Sequence, residues 1–181
     1  MSGIKHILMH TCCAPCLVAP YHSLSEGGMK ITAFWFNPNI HPYTEYLKRK
    51  EALVSFAEKE QFDLIVLDDY ALEEFLINTT GDIGNRCQYC YSVRLEKAAE
   101  YASRNGFDAF SSTLLYSRYQ KHEMIRRMAE DAANKYDISF YYEDFRPLWG
   151  KGIELSKAEG MYRQQYCGCI FSEKDRYLGK K

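Results

Sequence analysis

The sequence predicts an α/β fold: a doubly wound, mostly parallel five-stranded sheet with a helical C-terminal tail. Three observations carry this expectation. Short runs of β-branched and aromatic residues alternate with longer segments whose apolar residues recur at helical spacing, the pattern of a parallel sheet covered on both faces. The 181 residues are 46% hydrophobic and 26% charged, which suits one globular domain over residues 1–181. No internal repeat, low-complexity tract or linker divides the chain.

Each element follows in order. His6–His10 reads as a short buried strand. Cys16–Leu24 forms a helix with Pro15 near its first turn, where a missing N–H does no harm, and Gly27-Gly28 ends it. Ile31–Phe36 is the second strand, rich in β-branched and aromatic residues. Asn37-Pro38-Asn39 and Pro42 make the loop after it. A helix from Thr44 to Gln61 places Tyr46, Leu47, Leu53, Val54 and Ala57 on one face. Leu64–Leu67 is the third strand. Leu72–Ile77 is a short helix and residues 78–85, with Gly81 and Gly84, a loop. Tyr89–Arg104 is a helix with Gly106 just past its end. Ala109–Ser112 is the fourth strand, Gln120–Tyr136 a striped helix and Ser139–Tyr142 the fifth strand. Ser156-Lys157-Ala158-Glu159 has capping-box spacing and also fits inside a helix.

Lys+Arg is 23 and Asp+Glu is 24, which excludes a strongly basic nucleic-acid coat and leaves room for a local basic patch. The longest apolar runs, such as Leu64-Ile65-Val66-Leu67, fall far short of the roughly 20 residues of a membrane span. Met1–His10 has no signal-peptide pattern. The expectation is a cytoplasmic protein.

The cysteines break this ordinary picture. All seven fall in three motifs, Cys12-Cys13-Ala14-Pro15-Cys16, Cys87-Gln88-Tyr89-Cys90 and Cys167-Gly168-Cys169. Disulfides are rare in the cytosol, and buried structural cysteines are expected singly. Thiolates bind zinc, iron or iron–sulfur clusters. The first motif directly follows strand one, and open α/β sheets bind ligands beyond the carboxyl ends of their strands. The Asn37–Tyr43 loop and Ser111-Ser112-Thr113 open onto that same edge, so the three motifs can converge there. Adjacent Cys12 and Cys13 are expected to project in different directions and to serve two neighbouring metal centres. One thiol from each motif would give a cluster with one open iron, and the rest would hold a second metal. A structural zinc site and a thioredoxin-like Cys13/Cys16 pair remain as alternatives. The loop after strand one has no glycine, and Pro15 removes a donor, which argues against ATP.

The motifs His10-Thr11-Cys12-Cys13-Ala14-Pro15-Cys16, Phe36-Asn37-Pro38-Asn39-Ile40, Arg86-Cys87-Gln88-Tyr89-Cys90 with Arg94-Leu95, and Tyr162-Arg163-Gln164-Gln165-Tyr166-Cys167-Gly168-Cys169 resemble those of the cobalamin-independent epoxyqueuosine reductases, the QueH family. The resemblance runs from about Lys5 to Phe171 with no departure at a cysteine. It implies an adenine-nucleotide α-hydrolase-like (Rossmann-like) fold without nucleotide hydrolysis. It also implies a 4Fe-4S cluster beside one mononuclear iron, and reductive removal of the epoxide oxygen of epoxyqueuosine at the tRNA wobble position. Electrons would come from an external low-potential donor, and the extra iron would act as a Lewis acid on the epoxide oxygen.

The expected metal ligands are Cys12, Cys13, Cys87, Cys90, Cys167 and Cys169. Cys16 is left open between ligand and buried core thiol. Tyr89, Tyr166 and His10 are candidate proton donors. Asn37, Asn39, Arg86, Arg94, Tyr162 and Arg163 are candidate contacts for the base. Lys48-Arg49-Lys50, Arg126-Arg127 and the Lys174–Lys181 tail are candidate phosphate contacts. The competing function is a zinc-stabilised tRNA-binding module without redox chemistry.

Overall fold

The computed structural model of the protein describes residues 3–179. Its five strands are β1 (His6–His10), β2 (Lys30–Trp35), β3 (Leu64–Val66), β4 (Ala109–Ser112) and β5 (Ser139–Phe140). They form one sheet in the order β3-β2-β1-β4-β5, and every neighbouring pair is parallel. The helices are α1 (Ala14–Glu26), α2 (Tyr43–Glu60), α3 (Leu72–Thr79), α4 (Arg86–Arg104), α5 (His122–Tyr136), α6 (Trp149–Ala158) and α7 (Ile170–Tyr177).

The order of crossovers decides the layers. From β1 the chain moves outward through β2 to β3, then returns past β1 to β4 and β5. Right-handed connections therefore put α1 and α2 on one face and α4 and α5 on the other. The reversal falls between β1 and β4, where His10 stands beside Ser112. Central residues Ile7, Leu8, Met9, Ala109 and Phe110 are fully buried, whereas short β3 and β5 are only partly covered. α6 packs against α1.

Several boundaries differ from the sequence reading, each for a local reason. α1 starts at Ala14, with Pro15 inside its first turn, and continues past Pro20 to Glu26. Pro20 cannot donate to the Cys16 carbonyl, and the apolar surroundings of Leu17, Val18 and Ala19 hold the helix across that gap. α4 starts at Arg86 rather than Tyr89, so Cys87 and Cys90 lie three residues apart on one helical face. α3 runs on to Thr79, and a short 3-10 turn over Ile83–Asn85 replaces part of the expected loop. β5 stops at Phe140 instead of Tyr142. Ser156 is inside α6, its hydroxyl donating to the Ile153 carbonyl, so no capping box forms there.

Candidate metal centre

The first thiol group is built where β1 ends. Cys13 has extended backbone (φ −175°, ψ 159°) immediately before α1. The chain turns there, and this brings the sulfurs of Cys12, Cys13 and Cys16 together. Their Sγ atoms all lie within 4.8 Å of one another, with Cys12 and Cys13 3.9 Å apart. This corrects the expectation that neighbouring cysteines diverge. It also brings Cys16 beside them. Thr113, in the 3-10 turn after β4, closes the other side: its Oγ1 lies 3.5 Å from Cys12 Sγ and accepts from the Cys12 backbone N–H at 3.2 Å. The group therefore sits at the topological switch point, beside the N-terminus of α1, whose dipole favours thiolate.

The second thiol group combines α4 with the C-terminal segment. Cys90 and Cys169 are buried together against Phe75, Cys87 is half-buried and Cys167 is exposed. Arg49 fastens this segment to α2. Its Nε donates to Glu45 Oε1 at 2.6 Å, while Nη1 and Nη2 donate to the carbonyls of Cys167 and Tyr166 at 2.9 and 3.0 Å. Tyr162 hydroxyl donates to the other Glu45 oxygen. His41 N–H donates to the Gly168 carbonyl at 2.8 Å, and Tyr166 hydroxyl to the His41 carbonyl at 2.6 Å. Gly168 has φ +153°, and a Cβ there would stand 3.2 Å from Ile40 Cγ1. Only glycine lets the segment lie this close while Cys167 and Cys169 turn toward α4.

A cleft of about 680 Å³ is lined by Cys12, Cys16 and Cys167. Gln164 Nε2 donates to Cys16 Sγ at 3.4 Å, and Gln120 Nε2 to Cys167 Sγ at 3.2 Å. All three cysteine motifs thus converge on the carboxyl edge of the sheet.

Burial sets the electrostatics. Hydrogen bonds from the Cys13, Cys16 and Thr113 side chains hold Cys12 well below the ordinary thiol range. Cys13 and Cys16 are pushed up, the first mainly by burial and the second by the thiols beside it. The protein alone therefore favours one thiolate in this group of three, and a cation is needed to ionise the rest. Burial pushes Cys90 up to about 12. Arg94, only 2% exposed, donates from Nε to the Cys90 carbonyl at 2.8 Å, and its Nη2 has no partner among the described residues.

Several candidates from sequence take other roles. His10 is fully buried. Its Nε2 donates to the Phe36 carbonyl at 3.2 Å and its Nδ1 accepts from Ser112 hydroxyl at 2.9 Å. Burial lowers it to about 4, so it is a neutral structural residue. Asn37 is fully buried and Asn39 nearly so, with Asn37 Nδ2 on the Thr11 carbonyl at 2.9 Å; neither presents an edge to a base. Arg94 is likewise too deep to stack on one. Arg86 pairs with Asp175 at 3.0 Å and lies over the Phe171 ring, holding α7. Tyr89 packs on Phe75 outside the cleft, and Tyr162 is committed to Glu45. Arg163 and Tyr166 do line the cleft. Of the basic runs, Arg49 is buried, Lys50 pairs with Asp68, and Arg126 pairs with Glu130. Lys180 and Lys181 lie outside the described residues.

Sequence reasoning missed Gln120 and the pairing partner Glu45. Glu45 is four residues before Arg49, an ion-pair spacing on a helix, and that signal was available. Gln120 carried none. The donor set fits thiophilic iron: three thiols within 4.8 Å of one another, Cys167 on the same cleft, and no carboxylate lining that cleft among the described residues. Among those residues no helix is long and apolar enough to cross a membrane.

The chain was compared with known proteins. A family model described as Epoxyqueuosine reductase QueH matches residues 7–175. A protein of that name from Dehalococcoides mccartyi is 36% identical over 171 residues, covering 94% of this chain and 94% of its own. One from Histophilus somni is 40% identical over 184 residues, covering 96% of this chain and 74% of the relative. One from Thermotoga maritima is 36% identical over 181 residues, covering 94% and 91%.

Proposed function

The chain belongs to the epoxyqueuosine reductase QueH family, and on that premise we propose how this oxidoreductase of queuosine synthesis works. The observation that carries the reading is the close group of Cys12, Cys13 and Cys16 beside a cleft that Cys167 also lines.

The substrate is epoxyqueuosine in the anticodon loop of a tRNA, and the products are the alkene of queuosine and water. The change consumes two electrons, from an external low-potential donor, and two protons. The protein is a cytoplasmic single domain with its metal site at the carboxyl ends of the strands, and it uses no ATP. Cys12, Cys13 and Cys16 hold one centre, and Cys87, Cys90, Cys167 and Cys169 the other. Between them they carry a 4Fe-4S cluster and one further iron. Bound there, these metals would relay the donor's electrons and supply a Lewis acid while both epoxide C–O bonds break.

The chain's own residues do the rest. Cys12, Cys13 and Cys16 would supply three thiolate ligands, and Cys12 and Cys16 line the cleft. Arg94 lends a fixed buried positive charge beside Cys90, offsetting the charge of ionised thiols. The N–H donors of Gln120 and Gln164 fix the orientation of the sulfurs they touch. Tyr166 lines the cleft with its hydroxyl on the His41 carbonyl at 2.6 Å; turned from that carbonyl to the substrate, its phenol would supply one of the two protons and solvent the other.

The test is metal and acid-labile sulfide analysis of protein purified without oxygen, followed by turnover of epoxyqueuosine-containing tRNA. About five irons and about four sulfides per chain, with queuosine formed, support the reading. About one zinc, no sulfide and no turnover overturn it in favour of a zinc-stabilised RNA-binding module.

A further inference from the structure

The outer half of the cleft carries features that metal binding does not use. Its wall is aromatic. Tyr116 is buried and lies 5.2 Å from Trp149, ring to ring, at 31°. Its hydroxyl donates to the Trp149 carbonyl at 3.2 Å. Gly152, one turn into α6, makes this possible: a Cβ there would stand 2.1 Å from that hydroxyl oxygen. Tyr119 sets its edge on Trp149 at 5.7 Å and is 87% exposed. An aromatic side chain this exposed, locked against a second ring that is itself braced from below, is a stacking platform and contributes little to the core.

The rim is cationic. The chain carries 24 acidic residues, yet among the described residues none lines this cleft, while Arg163 and Arg176 do. Neither arginine has an ion-pair partner among the described residues. The other named basic side chains near the site, Arg49, Lys50 and Arg86, are all neutralised. Gln164 lies deeper, and its amide oxygen Oε1 is buried without a partner while its nitrogen is on Cys16. That leaves one acceptor unmet among the described residues, on a side chain that lines the cleft beside Cys16.

We propose that Trp149 and Tyr119 form the surface on which the reacting nucleotide stacks once it leaves the anticodon stack, with Arg163 and Arg176 on its flanking phosphates and Gln164 Oε1 accepting from an N–H of the base. The proposal rests on the tRNA reading above and specifies where that RNA lies. A planar heterocycle is recognised by aromatic faces, phosphates by unpaired guanidinium groups, and a base N–H by a buried carbonyl oxygen. All three occur along one wall that leads to Cys12 and Cys16. A protein ligand would be poorly matched, because the platform is narrow and the rim offers charge of one sign only.

The experiment uses the iron-loaded protein and a synthetic anticodon stem-loop RNA with queuosine at the wobble position. Binding is read from the anisotropy of a dye-labelled RNA, which does not depend on the tryptophan being replaced. Trp149→Leu keeps apolar bulk without stacking, and is expected to weaken RNA binding roughly 5- to 100-fold while Trp149→Phe restores most of it. Combined Arg163→Ala and Arg176→Ala substitutions should flatten the dependence of log Kd on log salt by about 1.4. Iron and sulfide content should be unchanged in all of these. Tyr119→Leu, at an exposed position, serves if Trp149→Leu does not fold. If the variants bind RNA as the wild type does while the wild type still converts epoxyqueuosine tRNA, this placement is wrong and the reductase reading stands. If the wild type loads metal but converts no epoxyqueuosine tRNA, the reductase reading fails, whatever the binding shows.

Discussion

Arg49 and Cys167 are joined by one hydrogen bond, from the guanidinium Nη1 to the backbone carbonyl, 2.9 Å long and spanning 118 positions of sequence. The same side chain is 1% exposed and paired with Glu45 at 2.6 Å. Arg49→Met would leave a buried carboxylate uncompensated and release the Cys167–Cys169 segment. A loss of about 3–5 kcal/mol is expected, a fall in Tm of roughly 10 °C for a domain of this size. Calorimetry reads the stability. Iron analysis should show the group containing Cys167 and Cys169 depleted, and full iron retention in the variant would contradict the clamp.

The two thiol groups make separable demands. Cys16→Ala and Cys90→Ala should each lower iron content, by different amounts, and the double variant should lose both fractions. Equal iron in Cys16→Ala and wild type would return Cys16 to the apolar core.

Tyr166→Phe keeps the ring and removes the hydroxyl that donates to the His41 carbonyl, at a cost of about 1 kcal/mol in stability. Metal and sulfide content should hold, while the single-turnover rate falls by roughly 10²–10⁴-fold, the usual contribution of a positioned acid. An unchanged rate would move the proton source to solvent.

Gly152→Ala forces Tyr116 away from the Trp149 carbonyl. The overpacking should cost about 1–3 kcal/mol, measurable by urea unfolding. Affinity for the stem-loop RNA should fall while metal content stays the same.

Acid should destabilise the fold through His41. The residue is 1% exposed, lies between Tyr70 and Phe75, and neither ring nitrogen has a partner among the described residues. Burial lowers it to about 4 from an unfolded value near 6.5. The unfolded chain therefore binds a proton between those values and the folded chain does not, so stability falls as pH drops below about 6.5. Between pH 7 and pH 5 the loss from this residue is about 2 kcal/mol. His41→Phe should remove that share and leave the parallel contribution of His10. Urea midpoints of the two proteins at both pH values decide it.

The alternation of strand and helix was legible because β2 and β3 are short runs rich in Ile, Val, Phe and Trp and the longer helices carry apolar residues at helical spacing. The convergence of the cysteine motifs followed from the position of Cys12 at the end of β1. The conformation of the loops was harder to read. Cys12 and Cys13 face the same space because Cys13 is extended at a strand-to-helix turn, a backbone property that residue types do not announce. Asn37, Asn39 and Arg94 read as polar surface groups, but they satisfy backbone carbonyls or occupy the interior beneath the site. Arg49 sat in a run of three basic residues, and only its helical phase, four residues after Glu45, separates it from its exposed neighbours. Trp149 and Tyr119 lie 30 positions apart in chain segments with no cysteine, so nothing in the local sequence associates either with the cleft.

The position of the last cysteines also sets an order of events during synthesis. Cys12, Cys13 and Cys16 leave the ribosome first, and the sheet they terminate needs β4, nearly a hundred residues later, before Thr113 can close beside them. Cys167 and Cys169 emerge last, and Arg49 can hold their carbonyls only then. A nascent chain stalled after β5 already has all five strands of its sheet yet only five of its thiols, with Cys87 and Cys90 still without Cys167 and Cys169. Metal delivered before Cys169 appears would meet an incomplete second group, so loading belongs after translation has passed that residue.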